Sequence, residues 1–319
     1  MKAALIDRVG AVPEYRDHPE PWAGEGEVVV TVEAVAVENV DRAFVAGTHY
    51  AAADFVAALP AIPCFDGVGR LADGTLVGFG GLKPPAGALA ERVVVPAGYA
   101  MPIPDGIAPE IAASLSSAVS AMSMQTAGGL QAGETVLLQG GTGVAGRLAI
   151  QIARLLGAGR IVATGRDAGA LRELEDLGVD ATIDTAVADA DLVHAFAEQA
   201  GAGYDVVLDY LWGRPTALLT RALVPASFTL GRPTRLVQIG EAAGRSLHLT
   251  ADALRTSGLE IYGAGRNAAA TMGAAYQQVV DWVRDGRLTI AVETMPLSRI
   301  AEAWTRTDLR GRRLVIIPD

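Results

Sequence analysis

The sequence predicts an α/β chain in which a doubly wound parallel sheet is inserted into a smaller β-rich unit. Three observations carry this. Between residues 119 and 264, apolar segments near 135–139, 160–164, 181–184, 204–209, 234–239 and 258–263 alternate with helical ones, the pattern of a parallel sheet covered on both faces. Residues 1–118 instead hold short apolar or alternating runs between Gly, Pro and Asp turns, which reads as a small, partly open barrel. Residues 265–319 carry too little apolar sequence for a core of their own, so they are expected to return and complete the first unit.

Taken in order, strands are expected at 1–7, 27–35, 68–71, 75–79 and 88–95, and a helix through 118–124 opens the inserted unit. Strand and helix then alternate to residue 263. The tail reads as a helix over 268–285, an extended segment at 289–295, a short helix around 298–305 and a closing strand at 313–317. A ligand is expected at the carboxyl ends of the parallel strands, in a cleft between the two units. No internal repeat, low-complexity tract or long linker interrupts the pattern.

Composition narrows the function classes. The 319 residues leave room for two cores, and although half are hydrophobic, no apolar run reaches the length of a membrane span. The opening Met1-Lys2-Ala3-Ala4-Leu5-Ile6 is too short for a signal peptide and reads as a first strand, so a soluble, cytoplasmic protein is expected. A net charge of −10 without a Lys/Arg stripe argues against nucleic-acid and anionic-membrane partners. The single cysteine, Cys64, excludes an internal disulfide and a Cys-based structural zinc lobe.

Residues 134–167 read ETVLLQGGTGVAGRLAIQIARLLGAGRIVATGRD: a strand, a Gly-rich turn, an amphipathic helix and a second strand. Gly141-x-Gly143-x-x-Gly146, with Thr142, Val144 and Ala145 between, supplies a tight turn, a close approach of backbone to pyrophosphate and close packing of helix on strand. The helix N-terminus offers its unpaired N–H groups to the phosphates. The plain alternative is an ordinary strand-to-helix turn, but both flanks match a dinucleotide-binding unit.

At the second strand's tip an NAD site places an Asp or Glu for the ribose 2′-hydroxyl, whereas this chain has Thr164, Gly165 and Arg166. No carboxylate there repels a 2′-phosphate, and a guanidinium can grip one, so the cofactor expected is NADPH. Two readings of Arg166 stay open: a phosphate ligand, or a solvated loop cation. Asp167 beside it would oppose a phosphate unless it caps the next helix.

These residues resemble the medium-chain dehydrogenase/reductases, and among them the zinc-independent quinone oxidoreductase-like branch. The resemblance runs along nearly the whole chain, through MKAALI, VENVDRAFVAGTHY at 37–50, FDGVGRLADGTLVGF at 65–79, GALAERVVVPA at 87–97, the 130–158 segment and GRRLVII. It implies a GroES-like catalytic domain over 1–118, completed by 265–319, and a Rossmann domain over 119–264. It also implies a homodimer formed through the nucleotide domains. Zinc-dependent members carry a Cys near the position of Glu38 and a His at that of Phe65, so the branch implied here uses no catalytic zinc. His18, His49, His194 and His248 lie in separate segments and match no ligand spacing.

A hydride donor then needs an acceptor whose developing negative charge can be met by neutral hydrogen-bond donors. Enolate and hydroquinone oxygens suit such donors better than the more basic alkoxide, which favours quinones and α,β-unsaturated carbonyls as substrates. Tyr50 is the first candidate donor and His49 the second; either could equally be a cleft-wall ring or a turn residue. Asp41 and Asp66 stand where the resemblance places active-site carboxylates, with capping or turn roles as the alternative. By the same resemblance Ser120 faces the cofactor, backbone at 209–211, Gly240 and Gly263 meets its nicotinamide half, and Arg266 approaches a phosphate or closes the cleft, or makes a surface ion pair. A ketone or alcohol dehydrogenase and a catalytically weak NADPH-binding protein remain as alternative functions.

Overall fold

Short β-branched runs broken by Gly and Pro give the first unit its strands. In chain order these residues form β1 (Lys2–Leu5), β2 (Glu14–Asp17), β3 (Glu27–Ala36), α1 (Asn39–Val45), α2 (Ala53–Ala57), β4 (Gly67–Arg70), β5 (Leu76–Phe79), β6 (Arg92–Pro96), β7 (Ala100–Pro102) and α3 (Pro109–Ala112). The longest, β3, reads EVVVTVEAVA and is the hub: it pairs antiparallel with both β4 and β6, with a register shift between Val32 and Ala34. The computed structural model describes residues 1–227 and 229–319. They divide into two compact units, Met1–Leu115 with Ile290–Asp319, and Ser116–Thr289.

The second unit is entered through α4 (Leu115–Ala121) and α5 (Ser123–Thr126). It continues with β8 (Thr135–Gln139), α6 (Val144–Leu155), β9 (Arg160–Gly165), α7 (Ala168–Arg172), β10 (Ala181–Asp184) and α8 (Asp189–Ala200). Then come β11 (Val206–Asp209), α9 (Gly213–Ala222), β12 (Thr234–Gln238), α10 (Ala251–Thr256), β13 (Leu259–Gly263) and α11 (Ala268–Arg284). The strands lie in the order β10-β9-β8-β11-β12-β13, every neighbouring pair parallel. Strand order therefore reverses between β8 and β11, where a doubly wound sheet opens a crevice beyond its carboxyl edge. Buried on both faces, β8 (TVLLQ) and β11 (VVLD) need apolar residues at successive positions, and Val136, Leu137, Leu138, Val206, Val207 and Leu208 are fully buried.

The chain returns to the first unit as β14 (Val292–Pro296), α12 (Ile300–Thr305) and β15 (Arg313–Ile317). There β15 pairs with β14 and, through Val315 and Ile316, with Ala36 and Val35 of β3. Leu314 and Ile316 thereby enter a core with Ile6, Val30, Phe55 and Leu89.

The expected domain limits, 1–118 with 265–319 and 119–264, differ from these units at the C-terminal boundary. The helix α11, expected with the first unit, lies in the second. Local bonds explain this: Arg266 donates to the Ala127 carbonyl (3.1 Å), Asn267 to that of Thr126 (3.2 Å), and Gln151 both donates to and accepts from the Thr289 backbone. Among the described residues no helix is long and apolar enough to cross a membrane.

Candidate active site and cofactor cradle

The turn after β8 is built by glycines that do different work. Gly140 has φ +89, a conformation that costs glycine nothing, and its N–H donates to the Thr164 hydroxyl (3.0 Å) while that of Gly141 donates to the Thr164 carbonyl (2.8 Å). Gly141 lies against β9, where a Cβ would stand 2.8 Å from that of Ala163. The exposed Gly143 is the N-cap of α6 and brings no side-chain cap, so the N–H groups of the first turn, through Val144 and Ala145, are left for a ligand. Gly146 lets helix meet turn, since a Cβ there would sit 2.2 Å from the Gly140 carbonyl oxygen.

Close backbone approach, an uncapped helix and a half-buried Thr142 together fit a pyrophosphate. Thr164 holds the turn to β9, its buried hydroxyl accepting the Gly140 N–H from inside the fold. Gly140 is a member of this cradle that the Gly141-x-Gly143-x-x-Gly146 reading passed over. The Gly-Gly pair directly behind the strand was its signal.

At the tip of β9, Gly165 packs so closely on Thr142 that a Cβ would lie 2.6 Å from its methyl group. Arg166 follows, exposed, with no hydrogen bond or ion pair to any described residue. Asp167 is the N-cap of α7, and its carboxylate accepts from the Ala170 N–H at 2.7 Å. The condition set by the sequence is thus met, because the neighbouring acid caps a helix.

Across the strand reversal, Gly240 allows a close approach to Tyr210, whose carbonyl oxygen a Cβ would meet at 2.5 Å, whereas Gly263 faces open space. The Arg266 guanidinium stacks on the Tyr262 ring (3.9 Å to its centre) besides its bond to Ala127, so the fold itself accounts for this cation and a phosphate contact is not required. Ser120, in the last turn of α4, donates to the Ser117 carbonyl (2.8 Å) and stands beside the buried Tyr210 hydroxyl. Beneath them the buried Asp209 accepts from the N–H groups of Leu211 (2.8 Å) and Trp212 (2.9 Å) and from the Thr216 hydroxyl (2.6 Å). These bonds hold Trp212 at φ 54, ψ −163, a backbone region that suits glycine and costs other residues about 1–3 kcal/mol. The sequence reading named backbone at 209–211 but not the Tyr210 side chain, and not Trp212.

In the first unit Tyr50 is 84% exposed and its ring lies 4.3 Å from that of His49, which stacks in turn on Phe44 at 4.4 Å. The Ala51 N–H donates to Nδ1 of His49 (3.2 Å), so the neutral imidazole carries its proton on Nε2. Asp41 makes the capping contact that stood as the alternative to a catalytic role. It is buried, its carboxylate accepts from the Glu38 N–H (2.7 Å) in a capping box at the start of α1, and burial pushes its pKa up to about 7.

Zinc does not fit the two positions that carry ligands in the zinc-dependent branch. Glu38 is ion-paired with Arg313 (3.4 Å), and Phe65 packs edge-on against Phe44 (4.6 Å). No cluster of three His, Cys, Asp or Glu side chains suited to a metal occurs among the described residues. Cys64 is fully buried, where desolvation pushes its thiol pKa well up and leaves it without a nucleophile's character.

Residues 145–284 match the family model described as zinc-binding dehydrogenase. A probable NADPH-dependent quinone reductase of Emericella nidulans is 26% identical over the whole of both chains. Prostaglandin reductase-3 of Bos taurus is 30% identical over 73% of this chain and 60% of its own. Among solved structures, the quinone oxidoreductase of Thermus thermophilus, described also in its complex with NADPH, superposes with a TM-score of 0.78 and 29% identity, covering 99% of this chain and 100% of that one.

Proposed function

Since the chain belongs to the medium-chain dehydrogenase/reductase superfamily, in its NADPH:quinone oxidoreductase-like branch, we propose that it reduces quinones or α,β-unsaturated carbonyls without zinc. The observation that carries the cofactor half of this reading is Arg166 at the tip of β9, exposed and without a partner among the described residues, beside a carboxylate turned away to cap α7. NADPH supplies the hydride when bound. The chain's own part is to receive the pyrophosphate on the N–H groups of the first turn of α6, Val144 to Gly146, to grip the 2′-phosphate with Arg166, and to hold the acceptor's oxygen as charge develops.

No metal ligand set occurs among the described residues, and the neutral donors that the first unit offers to that oxygen are the Tyr50 hydroxyl and Nε2–H of His49. Such donors match an enolate or hydroquinone oxygen, and Tyr50 or solvent supplies the final proton. The edge strand β13, which among the described residues pairs with β12 alone and exposes Ile261, supports a homodimer built through the second unit. A cytoplasmic location belongs to the same proposal.

The test is a panel of acceptors followed by NADPH oxidation, on protein pretreated with a strong chelator. A simple enone should give the saturated ketone, with label from deuterated NADPH on carbon. A labelled allylic alcohol would favour the carbonyl dehydrogenase alternative. Activity lost with zinc and restored by it would overturn the metal-free mechanism, and tight NADPH binding without turnover would leave a binding protein.

A further inference from the structure

A bound NADPH would span two parts of the cradle: the glycine turn with the start of α6, which takes the pyrophosphate, and the tip of β9, where Arg166 stands. Close contacts already join them. Gly165 packs so tightly that a Cβ would lie 2.6 Å from the Thr142 methyl group and 2.8 Å from Leu171, and a Cβ on Gly141 would stand 3.3 Å from Leu174. Arg147, early in α6, adds a polar tie. Its Nε donates to the Thr142 carbonyl (3.3 Å) and its Nη2 to the carboxylate of Glu173 (2.5 Å), the C-cap of α7. One guanidinium thus holds both the turn and the helix that follows Arg166 and Asp167. The arginine side chain is 17% exposed and that of Glu173 47%, so the pair is sheltered on the side of the turn.

We propose that Arg147 is a positioning residue for the cofactor: through Glu173 it fixes the pyrophosphate turn against the segment that carries Arg166, so that both phosphate subsites stand at a set spacing before NADPH arrives. A guanidinium suits this task because its planar fork reaches two acceptors in fixed directions. NADPH carries its pyrophosphate and its 2′-phosphate on one ribose, which limits the distance between them. A site already at that spacing loses less freedom on binding. NADH lacks the 2′-phosphate and gains from the turn alone. The charge of Arg147 is answered by Glu173, so its part is to hold the turn rather than to bind a phosphate itself.

This inference rests on the NADPH reading, and the experiment separates the two. NADPH and NADH are titrated calorimetrically into the wild type, Glu173→Ala, Arg147→Met and the double variant, with melting curves to establish that each is folded. Glu173→Ala changes an exposed side chain and decides by sign, because it cuts the tie and leaves the Arg147 cation unmasked. It should weaken NADPH about 2- to 5-fold, the upper range for a half-exposed ion pair, and change NADH little. Arg147→Met, which also releases the Thr142 carbonyl, should weaken NADPH about 5- to 20-fold. The double variant should be no weaker than Arg147→Met, because Glu173 acts only through Arg147. Tighter NADPH binding by Glu173→Ala would overturn the inference in favour of a direct pull of Arg147 on the phosphates. Unchanged NADPH affinity in that variant, equal losses for the two cofactors, or additive losses in the double variant would overturn it as well. In all these outcomes the wild type still prefers NADPH; a wild type without that preference would overturn the NADPH reading, and this inference with it.

Discussion

A Cβ added to Gly146 would stand 2.2 Å from the carbonyl oxygen of Gly140 and 2.6 Å from the Cα of Gly141. Helix and turn therefore touch through bare backbone, which has no flexible end to yield. Gly146→Ala should destabilise the protein by about 1–3 kcal/mol, the usual cost of overpacking, and weaken NADPH as the turn shifts. Gly143→Ala supplies the contrast. Its Cβ would lie 3.6 Å from the Gly140 oxygen, an ordinary contact, so stability should hold while NADPH weakens. Melting curves and cofactor titrations on both variants check this. A fully stable Gly146→Ala protein would refute the packing role.

Arg166 is predicted to set the cofactor preference. Hydrogen bonds to a charged group are worth about 1.5–3 kcal/mol, so Arg166→Ala should weaken NADPH by roughly 10- to 150-fold while NADH affinity stays level. The measurement is a titration of both cofactors into both proteins. Equal NADPH affinity would return Arg166 to the role of a solvated loop cation.

Asp41 makes stability depend on pH. Its carboxyl, held near 7 by burial against an ordinary value of 3.8, binds a proton in the folded chain that the unfolded chain releases between those values. Its contribution is therefore greatest at low pH and is lost as pH rises from about 4 to about 7. Asp41→Asn keeps an oxygen for the Glu38 N–H and removes the titration. The melting temperature of the variant, relative to wild type, should climb from pH 5 to pH 8. Parallel profiles for the two proteins would show that Asp41 does not titrate in this range.

The parallel unit was legible because β8 and β11 are buried on both faces and write that burial as unbroken apolar runs. Its cradle was legible because glycine spacing reports backbone contacts a few residues apart. Asp41 was within reach as well: Glu38 and Asp41 stand three apart at a helix start, the spacing of a capping box. The buried Tyr210 hydroxyl has no hydrogen-bond partner among the described residues, and nothing local in the sequence announces it. Trp212 occupies backbone space that its side chain disfavours, so residue type pointed away from the conformation. The placement of α11 turned on side chains reaching carbonyls near residues 126 and 127, which helical periodicity does not encode.

The closing of the first unit by β15 bears on how the chain can be made. Everything in the second unit, Ser116–Thr289, is contiguous, so its sheet can assemble while later residues are still being synthesised. The first unit has no such freedom. Val35 waits for Ile316, and the core around Ile6 and Leu89 lacks Leu314 and Ile316 until the ribosome has delivered almost every residue of this sequence. During elongation residues 1–115 therefore present an unpaired β3 edge and apolar side chains to the solvent, the kind of surface that chaperones recognise.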